Sequence, residues 1–278
     1  MKFKIVTDSS SDVLSLSKVP FEATPLKIIK DKNEYIDNEN LDVGLMVNDL
    51  EHYKGKSSTS CPNQNDWLCA FGDSQAVFCV TITGTLSGSF NSAMAAKTVY
   101  EEMYPERKVF VLDSLSTGPE MFLIIEKIKE LILKEYSFED ICKEITEYSK
   151  NTGLIFMLQS MKNLANNGRV KPIVAKMAGI LGIRVVGKAS DIGDLMPLDK
   201  SRGEDKALES IVKRLEEDGF KSGKVRIAHC FNKNGAEKLK ALIEKRFNCA
   251  DIKMYSCRGL CSYYAENGGM LIGFEKTK

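Results

Sequence analysis

Short apolar runs alternate along this chain with longer stretches in which apolar positions return every three or four residues. The runs predict buried strands and the longer stretches amphipathic helices. In the first half the strands are KFKIVT (2–7), ATPLKIIK (Ala23 to Lys30), AVFCV (Ala76 to Val80) and KVFVLDS (Lys108 to Ser114). Between them, residues 42–53 place Leu45, Met46 and Leu50 at helical spacing. Lys56 to Asn63 reads as an exposed, hydroxyl-rich segment in which Pro62 holds Cys61 extended. Asn63 then caps a helix carrying Trp67, Leu68 and Phe71. Asn91 to Ala96 reads as helix. Gly118-Pro119 opens a long one with Met121, Ile124, Ile125, Ile128, Leu131 and Ile132 on a 3.6-residue period. Another starts at Ser137, as N-cap, and runs through Phe138, Ile141 and Ile145 to Tyr148. Strands alternating with helices predict a parallel α/β domain.

Near Asn151 the pattern changes. Strands are expected at Gly153 to Met157, Ile180 to Gly187 with a hairpin return in DIGDLMPLDK, Lys224 to Cys230, Asp251 to Cys257 and Gly269 to Glu275. Helices are expected from Ser160 to Asn166, around Ile173, Val174 and Met177, over 204–217 and over 235–247. This half predicts helices on a mixed sheet. No repeat or low-complexity linker divides the chain, so two closely docked domains are expected, 1–150 and 151–278.

A hydrophobic content of 43% supports a real core, and a net charge of +1, from 39 basic and 38 acidic residues, argues against a dedicated nucleic-acid surface. No apolar run reaches the ~18 residues of a membrane-spanning helix. The start, MKFKIVTDSSSD, turns polar too early for a signal peptide, and a cytoplasmic protein is expected. The eight cysteines contain no C-x-x-C pair, and Cys257 and Cys261 are spaced C-x-x-x-C. With only His52 and His229 to join them, no zinc site is expected, and the cysteines read as free thiols.

The chemistry concentrates at strand ends. After AVFCV comes Thr83-Gly84-Thr85-Leu86-Ser87-Gly88-Ser89 and then a helix. A strand, a small-residue turn and a helix start gather unpaired N–H groups and hydroxyls at one point, which favours an anionic group. An ordinary strand–helix turn with a capping serine has the same composition. The turn is no Walker A loop, for no Lys-Ser/Thr pair follows the glycines. Asp8 to Asp12, DSSSD, is a capping turn or a ligand site at the end of the first strand.

Five segments in order resemble motifs of the DegV family, the bacterial fatty-acid-binding proteins. These are Thr7 to Asp12; Thr59-Ser60-Cys61-Pro62-Asn63; Leu86-Ser87-Gly88-Ser89-Phe90-Asn91-Ser92-Ala93; Val111 to Ser114 with Ser116 and Gly118; and Leu164 to Val170. The resemblance covers about residues 3–277. It implies a two-domain α/β fold, a parallel-sheet N-terminal domain plus an α/β C-terminal domain, with the lipid site between them. It also implies that Thr59 and Ser87 hold the carboxylate of a long-chain fatty acid. Ser60, Ser89 and Glu266 complete the expected ligand-binding set. The carrier would present its lipid to a separate ATP-dependent fatty acid kinase subunit, which makes an acyl phosphate for phospholipid synthesis. It would need no cofactor beyond the fatty acid, bind no nucleic acid, insert in no membrane and catalyse nothing itself.

At ~0.8 kcal/mol per buried CH₂, about 15 methylenes offer on the order of 12 kcal/mol before costs, so the lining must be apolar and deep. The helix after Pro119 and Ile155, Phe156 and Met157 are candidate linings, or plain core. Two departures from the family pattern stand out. Cys61 replaces a glutamine, and Glu266 aligns with a histidine that would help to hold the head group. An ionised Glu266 would repel a carboxylate unless it points away, is protonated, or the ligand differs. Tyr263, Tyr264 and Arg258 lie close by as substitutes. Arg169 and Arg202 read as solvated or salt-bridged, with contact to the kinase the sharper expectation for Arg202. A carrier of another amphiphile or anion is a second reading. A serine hydrolase built on Ser87 is a third, although Leu-Ser-Gly lacks the nucleophile elbow and neither histidine lies in a recognisable motif.

Overall fold

The computed structural model describes residues 2–175, 182–247 and 251–277. Strands β1 (Phe3–Asp8), β2 (Phe21–Thr24), β6 (Ala76–Thr81) and β7 (Lys108–Asp113) form a parallel sheet in the order β2-β1-β6-β7. β6 is buried along its whole length, as a central parallel strand must be. A small antiparallel sheet, β4-β3-β5, stands beside it, made of β3 (Lys27–Lys30), β4 (Asn33–Ile36) and β5 (Ser57–Ser60). Helices α1 (Val43–His52), α2 (Gln64–Phe71), α3 (Ser89–Met103), α4 (Gly118–Leu133) and α5 (Phe138–Ser149) complete the first half. Asn63 caps α2 in a full capping box, and Ser137 caps α5.

The second half is a six-stranded mixed sheet, β10-β9-β8-β13-β11-β12. Its strands are β8 (Thr152–Leu158), β9 (Ile183–Ala189), β10 (Leu195–Arg202), β11 (Lys224–His229), β12 (Asp251–Ser256) and β13 (Met270–Glu275). Only the β11–β12 pair is parallel. Helices α8 (Glu204–Glu217) and α9 (Lys233–Phe247) pack on one face, over Ile155, Met157, Ile227 and Ile272. Short helices α6 (Lys162–Asn166), α7 (Pro172–Ala175) and α10 (Gly259–Ala265) belong to the other side. Met177 and Cys249 lie outside the described residues.

Several elements differ from the sequence pattern, among them the unexpected strand β4. ATPLKIIK is two strands, because Pro25 interrupts it and the Leu26 amide donates to Ser9 Oγ at 3.0 Å instead of to a neighbouring strand. The hydroxyl-rich segment is strand β5, with Thr59 opposite Ile28. Its polar side chains hide the strand signal because their partners lie far along the chain: Ser57 and Thr59 meet the hydroxyls of Tyr263 and Tyr264 at 2.7 and 2.8 Å. Helix α10 was not expected, and its cap is equally remote. The Asp37 carboxylate accepts the Gly259 and Leu260 amides, both at 2.8 Å.

Helix α4 joins the halves. Met121, Ile124, Ile125, Ile128 and Leu131 pack into the core of the first sheet with Ile5, Phe78 and Val80. Its other face meets the second sheet. There Thr152 donates to Glu120 at 2.7 Å, Arg226 pairs with Glu126 at 2.7 Å, and Phe122 packs edge-on to Tyr255. A Cβ at Gly273 of β13 would lie 2.5 Å from the Pro119 carbonyl carbon, so glycine there permits the helix to sit on the strand.

Candidate functional site

The halves enclose a cavity of about 270 Å³. Side chains on one strand point alternately to opposite faces, and β8 uses this. Ile155 and Met157 face the α8–α9 core, while Leu154, Phe156 and Leu158 line the cavity. Leu271 of β13, Leu164 of α6, Ala189 and Leu195 of the β9–β10 hairpin and Leu260 of α10 extend the apolar wall. The first half adds Leu26, Ile82 and Leu86. Of the candidate linings, Phe156 takes that role; Ile155, Met157 and the apolar stripe of α4 are core.

The polar part of the wall is the turn between β6 and α3. Asp8 builds it from beneath. Its buried carboxylate accepts the Ile82 amide at 2.9 Å and the Ser89 hydroxyl at 2.6 Å, and it also takes the Ser10 hydroxyl. Burial pushes the Asp8 carboxyl up, against those hydrogen bonds. The DSSSD segment is therefore a capping turn: Ser9–Ser11 form a 3₁₀ turn with Asp8 as N-cap, and none of the three lines the cavity. Gly84 N–H donates to Asp113 at the end of β7, so two strand-end aspartates fix the turn from both sides. A Cβ at Gly88 would come 3.2 Å from Cys61 Sγ, which shows how closely the end of β5 approaches the start of α3.

The expected site residues divide. Thr59, Ser60 and Ser87 line the cavity, as does Cys61. Ser89 lies behind the wall, fully buried and committed to Asp8. Glu266 is not part of the lining. It takes a positive φ at the end of α10, its carboxylate accepts the Asn163 amide at 3.0 Å, and it faces a separate depression beside Glu51 and Lys162. Burial raises the Glu266 carboxyl. Arg202 ends β10, exposed and away from the cavity. Arg258 donates to the Asn38 carbonyl and Tyr263 bonds Ser57, and neither is in the lining.

Two lining residues carry more weight than the sequence assigned them. Arg169 is half-buried and, among the described residues, is held by backbone carbonyls rather than by a carboxylate. Its Nε donates to the Leu86 carbonyl at 3.1 Å and its Nη1 to the Asn167 carbonyl at 2.6 Å. It is the one cationic side chain among the described lining residues, and Asp194 the one acidic. Tyr264 places its hydroxyl 2.8 Å from Thr59 Oγ1. Burial raises both the Tyr264 phenol and the Cys61 thiol, so each is a neutral donor at ordinary pH. A sequence signal for Arg169 existed in the Leu164 to Val170 motif. For Tyr264 only its neighbourhood to Glu266 pointed the way.

Hydroxyls, a thiol and one guanidinium beside a mainly apolar cavity, with Asp194 its single acid and bonded to Ser190, suit an anionic group on a hydrocarbon chain. Neither histidine lines the cavity: His52 bonds the Asn48 carbonyl on α1, and His229 ends β11. Among the described residues, no three His, Cys, Asp or Glu side chains are placed to hold a metal, and no helix is long and apolar enough to cross a membrane.

Known proteins agree with this architecture. The DegV family model, described as an uncharacterised protein family, matches residues 2–277. A DegV domain-containing protein of Streptococcus pneumoniae is 39% identical over 279 residues, 99% of each chain. A DegV family protein from Eubacterium eligens, solved with heptadecanoic acid, is 42% identical with a TM-score of 0.97, covering 99% of this chain and 100% of that one. The Streptococcus pneumoniae fatty acid kinase B3 protein, solved with linoleic acid, is 39% identical with a TM-score of 0.98 over the whole of both chains. A match along nearly the full length, by family model, sequence and structure alike, makes this chain a member of the DegV family.

Proposed function

We propose that this protein binds a long-chain fatty acid in the cavity between its halves and presents it to a separate kinase subunit for acyl-phosphate formation. The observation that carries the reading is the pairing of an apolar wall with Thr59, Ser87 and Arg169. Burying a carboxylate costs several kcal/mol unless charge-assisted hydrogen bonds replace water, and hydroxyls with a guanidinium supply them. The Thr59 and Ser87 hydroxyls hold the carboxylate, with the Arg169 charge beside it. The relatives solved with heptadecanoic and linoleic acids support the ligand class, and the kinase name of one supports the partner. Arg202 is exposed and free to meet that partner. The cavity offers Ser87 no histidine base, so the carrier reading is preferred to the hydrolase.

Native mass spectrometry of freshly purified protein, followed by organic extraction, tests this. A mass increment equal to a long-chain fatty acid is expected. Protein that is empty and also refuses added fatty acid would sink the reading and turn attention to another anionic amphiphile.

A further inference from the structure

The Thr59–Tyr264 contact is a hydrogen bond between two hydroxyls, each of which has one proton to give. When a carboxylate occupies the cavity, Thr59 must point its proton at the carboxylate, which can only accept. The bond at 2.8 Å then has one direction left: Tyr264 donates to Thr59 Oγ1. The phenol is suited to this. Burial raises its pKa, so it keeps its proton, and the T-shaped contact with the Tyr263 ring at 4.8 Å holds it in place. Tyr263 makes a similar contact beside it. It accepts from Asn167 Nδ2 at 2.9 Å and shares a hydrogen bond with Ser57 Oγ at 2.7 Å in which either hydroxyl can donate. Helix α10 thus offers two phenols to two alternate hydroxyls of β5, and only the Tyr264 pair lines the cavity.

We infer that Tyr264 is a positioning residue for the head group: its proton fixes the Thr59 rotor and polarises that hydroxyl toward the carboxylate. A chain of such bonds strengthens each member. The inference rests on the fatty-acid reading and deepens it, for it explains how a site with no histidine and an outward-turned Glu266 completes its donor set.

The test is a double-mutant cycle with Thr59→Val and Tyr264→Phe, read as affinity for oleic acid and for methyl oleate. Tyr264→Phe keeps the ring, and thermal unfolding of each variant checks the fold. Tyr264→Phe is expected to weaken oleate binding about 5- to 10-fold, the worth of roughly one hydrogen bond, and to leave methyl oleate within about twofold. Thr59→Val should remove the effect, so that the double variant binds like Thr59→Val alone. Equal loss for acid and ester would show plain packing, and additive losses would show that Tyr264 does not act through Thr59; either overturns the inference. Wild-type protein that binds no fatty acid overturns the carrier reading and this inference with it. Normal wild-type binding with an unchanged Tyr264→Phe variant overturns this inference alone.

Discussion

At the scale of single residues, the site is a set of neutral hydroxyls with one cation and one acid, Arg169 and Asp194, made rigid by Asp8 and Asp113, which do not line the cavity. Removing a hydroxyl that bonds a charged group costs about 1.5–3 kcal/mol. Ser87→Ala should therefore lower fatty-acid affinity by roughly 10- to 100-fold in a displacement titration, while an unchanged affinity would remove Ser87 from the head-group site. Asp12 carries a different kind of prediction. Burial pushes its carboxyl from 3.8 up to about 8, and its Oδ2 is buried with no hydrogen-bond partner. The folded state holds this proton where the unfolded chain has lost it, so the stabilisation is full below pH ~4 and is lost as pH rises toward 8. The melting temperature should fall between pH 5 and 8.5. Asp12→Asn, which tolerates the positive φ at this position, should flatten part of that slope. A slope identical in both proteins would count against Asp12 as a source. Thr59 and Ser87 were legible as candidates because they stand in short motifs that resemble the family's, and both line the cavity. Ser89 sits in the same motif yet faces Asp8, since a motif fixes which residues are near a site and not which way each side chain points.

At the scale of elements, what the sequence showed well was what local periodicity creates. Helices α2, α4, α5, α8 and α9 and the apolar strands follow from apolar spacing, and α2 and α5 also from caps at the adjoining Asn63 and Ser137. What it hid was made by distant partners. β5 has no apolar stripe and is a strand because Ile28 and the α10 tyrosines lie across from it. α10 is short, is buried on nearly every side and takes its cap from Asp37, which lies 222 positions away from Gly259. That cap is testable. Asp37→Ala leaves two buried amides unsatisfied, at ~1–3 kcal/mol each. It should lower thermal stability and weaken lipid binding together, because Tyr264 rides on the helix. Stability lost with affinity intact would mean that α10 holds its place without the cap. Gly273→Ala tests the α4–β13 approach. The added methyl meets Pro119 backbone, so a cost of about 1–3 kcal/mol in chemical denaturation is expected.

For the whole molecule, each half lends a helix to the other. α4 leans its Glu120, Phe122 and Glu126 on the second sheet, and α10 is held by Asp37, Ser57 and Thr59 of the first half. The Arg226 guanidinium is almost fully buried between Glu126 and Asp251, so Glu126→Ala should cost about 3–5 kcal/mol by leaving it half paired. Equilibrium unfolding reads this directly, and a loss under 1 kcal/mol would place the strength of the seam elsewhere. A bound lipid should act on both halves at once. At about 100 times its dissociation constant it adds ~2.7 kcal/mol to stability, visible as a single shifted transition. The exchange of helices also bears on how the chain comes into being. During synthesis the earlier part of a chain tends to fold first. Yet Thr59 waits for a partner made 205 positions later, and Gly259 is needed to engage Asp37. The nascent first half therefore has its serine turn in place while the wall opposite is still missing. On the proposed function, lipid capture would belong to the finished chain, and a ribosome stalled before α10 would carry a first sheet without the wall that α10 supplies.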